Sequence, residues 1–218
     1  MIIVIQCAAR KRPGAGHLVS ASGKPVDFVA DPLAAPLDPG RVYARPDDLS
    51  DDAISWRRVL LKYNQEAKGN PLGLYPACQL YENKTYGRLA DRFGLPKVYI
   101  LSAGWGLIAA DFLTPYYDIT FSQSAEGYKR RRKKDRYDDF CMLPRDTVEE
   151  ILFFGGKDYL PLFCSLTGAI RTRKTVFYNS AQRPQVTGCA LKRFDTTTRT
   201  NWHYECANAF LDGAVSTD

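Results

Sequence analysis

The chain has 218 residues, 45% hydrophobic and 25% charged, with a formal net charge of +6. That length supports one large domain with a real core or two small ones, and the composition excludes global disorder. No apolar run approaches the roughly 20 residues of a membrane helix, so no membrane partner is expected. In MIIVIQCAARKRPG the apolar residues precede the charges, the reverse of a signal peptide, and a cytoplasmic protein is expected.

Residues 2–6 (IIVIQ) read as a short strand, and their lack of alternation suits a parallel or central position. CAARKRPGAGH then turns sharply. From about 18 to 52, Pro, Ala, Gly and Asp predict a long irregular excursion with one short strand at 26–29; such loops are often functional. Residues 51–68 read as a helix with acids in its first turn and a GNP stop, and 83–93 as a second helix ended by Gly94 and Pro96. Residues 98–102 form a second buried strand. Helices are predicted over 147–154 and 158–166, a strand over 174–179, and a C-terminal helix capped at Thr200 or Asn201 and stopped at Gly213.

This alternation predicts one α/β domain over 1–218, with a mostly parallel or mixed central sheet flanked by helices. Ligands of such sheets sit at the carboxyl ends of strands. Residues 7–11, 102–105 and 179–183 are therefore expected to converge.

Four segments could carry chemistry. The first is ILSAGWGLIAADFLTPYYDITF, residues 100–121. Ser102, Gly104 and Gly106 let backbone approach a ligand closely, but SAGWG matches neither a dinucleotide fingerprint nor a P-loop. Trp105, Tyr116 and Tyr117 with Asp118 suit a pocket for a planar base or a sugar, since aromatic faces stack on bases and a carboxylate stabilises an oxocarbenium-like transition state or activates water. A tight turn over a core tryptophan is the structural alternative. The second, KRRRKKDR at 129–136, carries seven bases against one acid and suits a phosphate surface or a solvated face. In the third, CAARKR, Cys7 could be an activated thiolate or a buried cysteine ahead of phosphate-binding Arg10, Lys11 and Arg12; a Cys–His dyad would need His17 or His203 beside it. The fourth, RTNWHYECANAF, starts a helix with Trp202 and His203. The six cysteines form no C-x-x-C pair, and neither a metal site nor a cofactor is expected.

The stretch VYILSAGWGLIAADFLTPYYDITF resembles the YaaA-like family of bacterial DNA-binding proteins and its shorter uncharacterised relatives. The similarity lies in Leu101, Ser102, Trp105, Gly106, Leu107, Pro115 and Tyr116. Cys7, Arg10, Lys11 and the Leu80–Tyr81 pair extend it over the first 120 residues or so. The resemblance implies DNA binding, with action on damaged or modified bases, including those of phage DNA.

Together these readings lead to the expectation of a DNA N-glycosylase with no obligate protein partner, which extrudes a base from duplex DNA and leaves an abasic site. Asp118 is the expected catalytic carboxylate, with Asp111 in reserve, and Asn179 and His203 position water or the base edge. Ser102, Gly104, Trp105, Gly106, Tyr116, Tyr117 and Trp202 form the expected base pocket. Arg10, Lys11, Arg12, Lys129, Arg130, Arg131, Arg132, Lys133, Lys134 and Arg136 are the expected phosphate contacts. A non-catalytic DNA-binding stress protein and an enzyme acting on free nucleosides or nucleotides are the alternatives.

Overall fold

The apolar run at the start of the chain becomes the centre of the molecule. Ile3, Val4 and Ile5 have no solvent exposure, as a strand covered on both faces requires. The computed structural model describes residues 1–66, 69–132 and 134–217. In chain order its elements are β1 (Ile2–Gln6), β2 (Val26–Phe28), β3 (Val42–Ala44), α1 (Trp56–Glu66), β4 (Tyr75–Pro76), α2 (Ala77–Leu80), α3 (Thr85–Phe93), β5 (Val98–Ser102), β6 (Gly106–Ala109), β7 (Leu113–Thr114), β8 (Phe140–Cys141), β9 (Ile151–Phe154), α4 (Leu160–Thr167), β10 (Lys174–Tyr178), β11 (Ala190–Arg193) and α5 (Trp202–Leu211).

Seven strands form one mixed sheet in the order β11-β10-β9-β1-β5-β6-β8. The five strands from β11 to β5 are parallel, β6 is antiparallel to β5, and β8 runs with β6. This is the expected single-domain α/β fold with helices on the sheet. Successive side chains of β9 point to opposite faces. Phe153 stacks on Phe163 of α4 (centroids 4.4 Å apart), whereas Phe154 meets Phe177 of β10 and Phe210 of α5. One aromatic pair thus fixes α4 on one face and α5 on the other, each buried ring contributing roughly 1.5–3 kcal/mol.

Three readings of local structure change. Residues 151–154 are strand β9, not the second half of a helix: ILFF is a short apolar run, and burial between β1 and β10 decides between the two states. The helix expected from residue 51 begins at Trp56, because Ser50 to Ala53 close a turn in which Ala53 adopts φ 55°; residues 67 and 68 of that expected helix lie outside the described residues. The turn after β5 leads into strand β6. Asn201 does precede α5, but in a left-handed conformation and with no side-chain capping bond. Among the described residues, no helix is long and apolar enough to cross a membrane.

β1 is the switch point of the sheet. The chain leaves it for β5 on one side and later returns to pair β9 on its other side. A crevice at the carboxyl ends of β1 and β9 follows from this connectivity.

Candidate functional site

At that crevice β1 ends at Gln6 and leads into Cys7, β9 leads into Gly155 and Gly156, and β10 ends at Tyr178 and leads into Asn179. The Gln6 side-chain Oε1 accepts a bond from the Gly156 amide (2.6 Å), joining the first two ends. The open space above them is a cleft of adjoining lobes. One, of about 310 Å³, is lined by Gly155 to Asp158, Tyr178 to Ser180, Arg199 and Trp202. The next, of about 290 Å³, shares Gly156, Asp158, Arg199 and Trp202 and adds Gln6, Cys7, Thr120, Ser122, Tyr159, Asn201 and His203. A third, of about 520 Å³, continues past Ala8, Ala9 and Asn201 to Arg10, Glu82 and Asn83. These sizes suit a small molecule or a single nucleotide.

The basic run borders the same place. The backbone of Thr120 is bonded to both sides of Arg130, its amide to Lys129 O and its carbonyl to the Arg131 amide. A hollow of about 470 Å³, lined by Phe121, Tyr137, the arginines 131, 132 and 136 and the aspartates 135, 138 and 139, adjoins the cleft at Asp158. A smaller one, formed by Gln123, Arg130 and Arg132, also adjoins it there. Asp158 therefore stands where the strand-end cleft meets a mixed-charge hollow and a smaller arginine-rich one, and it makes no ion pair among the described residues.

Of the expected site residues, Asn179, Trp202, His203 and Arg10 reach the cleft. Trp202 is 6% exposed and stacks on Phe194. His203 is 3% exposed; burial pushes its pKa down to about 3, so the ring is neutral at physiological pH.

The stretch 102–118 lies elsewhere. Ser102 Oγ accepts the amides of Gly104 and Trp105 and donates to Tyr117 Oη (2.9 Å), so the turn amides are occupied within the protein. Gly106 has φ 88°, and a Cβ there would lie 2.7 Å from Phe140 N; only glycine fits this close approach to β8. Trp105 is fully buried against Phe28, Tyr117 and the Arg57 guanidinium. The turn carbonyls are held by two buried arginines. Arg57 of α1 donates to Gly104 O and Trp105 O (3.0 Å each) while paired with Asp47. Arg131 donates to Ala103 O (2.9 Å) and forms a two-pronged pair with Asp139. Ser102, Gly104, Trp105, Gly106 and Tyr117 are thus a cross-braced core turn, and the half-buried Tyr116 packs on His17. The carboxyl end of β5 is closed by Tyr117 and Tyr81, whose hydroxyls lie 2.8 Å apart. The β9 end takes its place in the site.

Asp118 is not on the cleft. It pairs with Lys129 at 2.8 Å, and its amide bonds to Phe28 O. Asp111 is exposed next to Ala110, whose amide bonds to Val98 O at the amino end of β5, the opposite end of the sheet. The expected phosphate contacts also divide. Lys129 is committed to Asp118 and Glu126; burial opposes its charge, but those bonds outweigh it and raise its pKa. Arg131 is 6% exposed and Lys11 8%. Arg12, Arg132, Lys134 and Arg136 are exposed, Arg130 is half-buried beside Gln123, and Lys133 lies outside the described residues.

Asp158, Tyr159, Gly156 and Asn201 were not anticipated. The signal for the first three was present in FFGGKDYL, an apolar run meeting two glycines ahead of a helix, and it was obscured by reading 147–154 as helical. Among the described residues no group of three His, Cys, Asp or Glu side chains is arranged to hold a metal, and all six cysteines are free thiols. Comparison with protein-family profiles, with characterised proteins and with solved structures finds no match.

Proposed function

We propose that the chain binds nucleic acid and hydrolyses the N-glycosidic bond of a nucleotide extruded into the strand-end cleft, leaving an abasic site. The observation that carries this reading is the position of Asp158, a carboxylate without an ion-pair partner among the described residues, between a nucleotide-sized cleft and a hollow lined by Arg130, Arg131 and Arg132. A carboxylate facing the sugar offsets the cationic charge that develops as the base departs, or activates the attacking water. Trp202 lines the wall of the base lobe, with Asn179 and Asn201 as polar partners for the base edge. Arg10, Arg130, Arg132, Arg136 and Arg199 would contact phosphates on either side. Duplex DNA is the proposed partner, with modified bases such as those of phage DNA as the proposed target and the cytoplasm as the setting.

The test is incubation with duplexes carrying modified or unmodified bases, followed by alkali to reveal abasic sites. Asp158→Asn should lose base release by at least roughly 100-fold while keeping DNA binding, and Asp118→Asn should retain release. Normal cleavage by Asp158→Asn would refute the assignment. A second reading, hydrolysis of free nucleotides, is favoured by the commitment of Lys129 and Arg131 to internal ion pairs, which removes two cations from any polyanion surface. It requires turnover without DNA that survives neutralisation of Arg132, Lys134 and Arg136. DNA binding with no turnover of either substrate would leave a non-catalytic binding protein.

A further inference from the structure

The proposed hydrolysis leaves two residues of the cleft wall, Cys7 and His203, unused, with Lys11 buried behind them. Cys7 follows β1, is 3% exposed and lines the 290 Å³ lobe, with its Sγ 3.2 Å from Tyr159 Oη. His203, 196 residues away in sequence, lines the same lobe, and its buried Nε2 has no hydrogen-bond partner among the described residues. Lys11, four residues beyond Cys7, is also buried and makes no ion pair among the described residues; its Nζ sits 4.2 Å over the Tyr117 ring. Burial lowers the Lys11 pKa, against the opposing pull of Cys7 and Asp118. Buried polar groups ordinarily have partners. A buried imidazole nitrogen without one, on the wall of a cleft, points to a ligand that supplies it.

We propose that Cys7 is a covalent nucleophile of this cleft and captures the aldehyde carbon C1′ of an abasic deoxyribose as a thiohemiacetal. The inference rests on the nucleic-acid reading above, whose product is that aldehyde, and it assigns the product's fate. The bond from Sγ to C1′ forms as the carbonyl π bond opens, and the thiol proton ends on the new hydroxyl. Tyr159, within hydrogen-bond distance of Sγ, is placed to relay that proton. No electrons enter or leave the pair, so no oxidant or reductant is needed. The adduct is reversible and holds a strand-breaking intermediate out of water.

The experiment uses the full chain and two duplexes that differ at one nucleotide. One carries a true abasic site, and the other a tetrahydrofuran analogue with no aldehyde. The abasic duplex should bind roughly tenfold more tightly, and Cys7→Ser should close that gap without changing affinity for the analogue. In the wild-type chain, the abasic duplex alone should protect Cys7 from iodoacetamide, read by mass spectrometry of the Cys7 peptide; this arm depends on no variant folding. A gap that survives Cys7→Ser, or equal protection by the two duplexes, overturns the capture. So does irreversible trapping at Lys11 by cyanoborohydride, which would assign an imine instead. Binding to neither duplex refutes the nucleic-acid reading itself and the capture with it, whereas equal binding to both refutes the capture alone.

Discussion

His203 connects the site to stability in a way that can be measured. Burial lowers its pKa from the ordinary 6.5 to about 3, so the native state resists the proton that the unfolded chain accepts. A depressed native pKa contributes its full stability above pH 6.5, and stability falls as the pH drops from 6.5 toward 3. At pH 5 the unfolded imidazole is almost wholly protonated and the native one neutral, and the linkage relation gives a loss of about 2 kcal/mol relative to pH 7. The figure changes little for any native value below about 4, because the unfolded pKa sets it. Urea denaturation followed by tryptophan fluorescence, at pH 7 and pH 5, measures the loss. Wild type should lose about 2 kcal/mol more than His203→Gln, which fills similar space without titrating. Contributions from His17 and the carboxylates are common to both proteins and cancel. Identical pH dependence in the two proteins would show that His203 is solvated or paired when charged, and would refute its description as a buried neutral ring.

Three further expectations follow from the braced turn and the basic run. Asp139→Ala strands the buried Arg131 guanidinium and should cost about 3–5 kcal/mol in thermal or urea unfolding, with exposed Asp138→Ala as the near-neutral control. Gly106→Ala forces a side chain into a left-handed φ and against the Phe140 backbone, and should cost about 2–5 kcal/mol; a change below about 1 kcal/mol would mean that β8 can move aside. Neutralising Arg132, Lys134 and Arg136 together should flatten the log–log salt dependence of DNA binding by about 2.7, whereas Lys129→Gln, already paired with Asp118 and Glu126, should change it far less.

The parts of the fold that were legible are those where a local pattern has one physical solution. IIVIQ, VYILS and KTVFY are apolar runs too short for helices, and each becomes a parallel strand buried along most of its length. The stops at Gly94 and Gly213 end α3 and α5 because glycine adopts the positive φ found there. ILFF is as apolar as these strands but falls inside the helix predicted over 147–154, and only its place between β1 and β10 resolves the ambiguity.

The candidate site was half legible for a related reason. That ligands gather at strand ends follows from α/β connectivity alone, and it drew attention to Asn179, Trp202 and His203. Which strand ends stay open does not follow from it. The sequence by itself determined the α/β class, the positions of β1, β2, β5 and β10, and a concentration of positive charge after residue 128. Tertiary structure alone decided that Tyr81 and Tyr117 close the end of β5, that Arg57 and Arg131 turn inward onto the 103–105 carbonyls, and that Asp118 is spent on Lys129. It also brought Asp158 and His203 to Cys7. Burial and charge pairing depend on neighbours that lie dozens of residues away in the chain, and no local pattern encodes which of several aromatics, arginines or aspartates will be left facing open space.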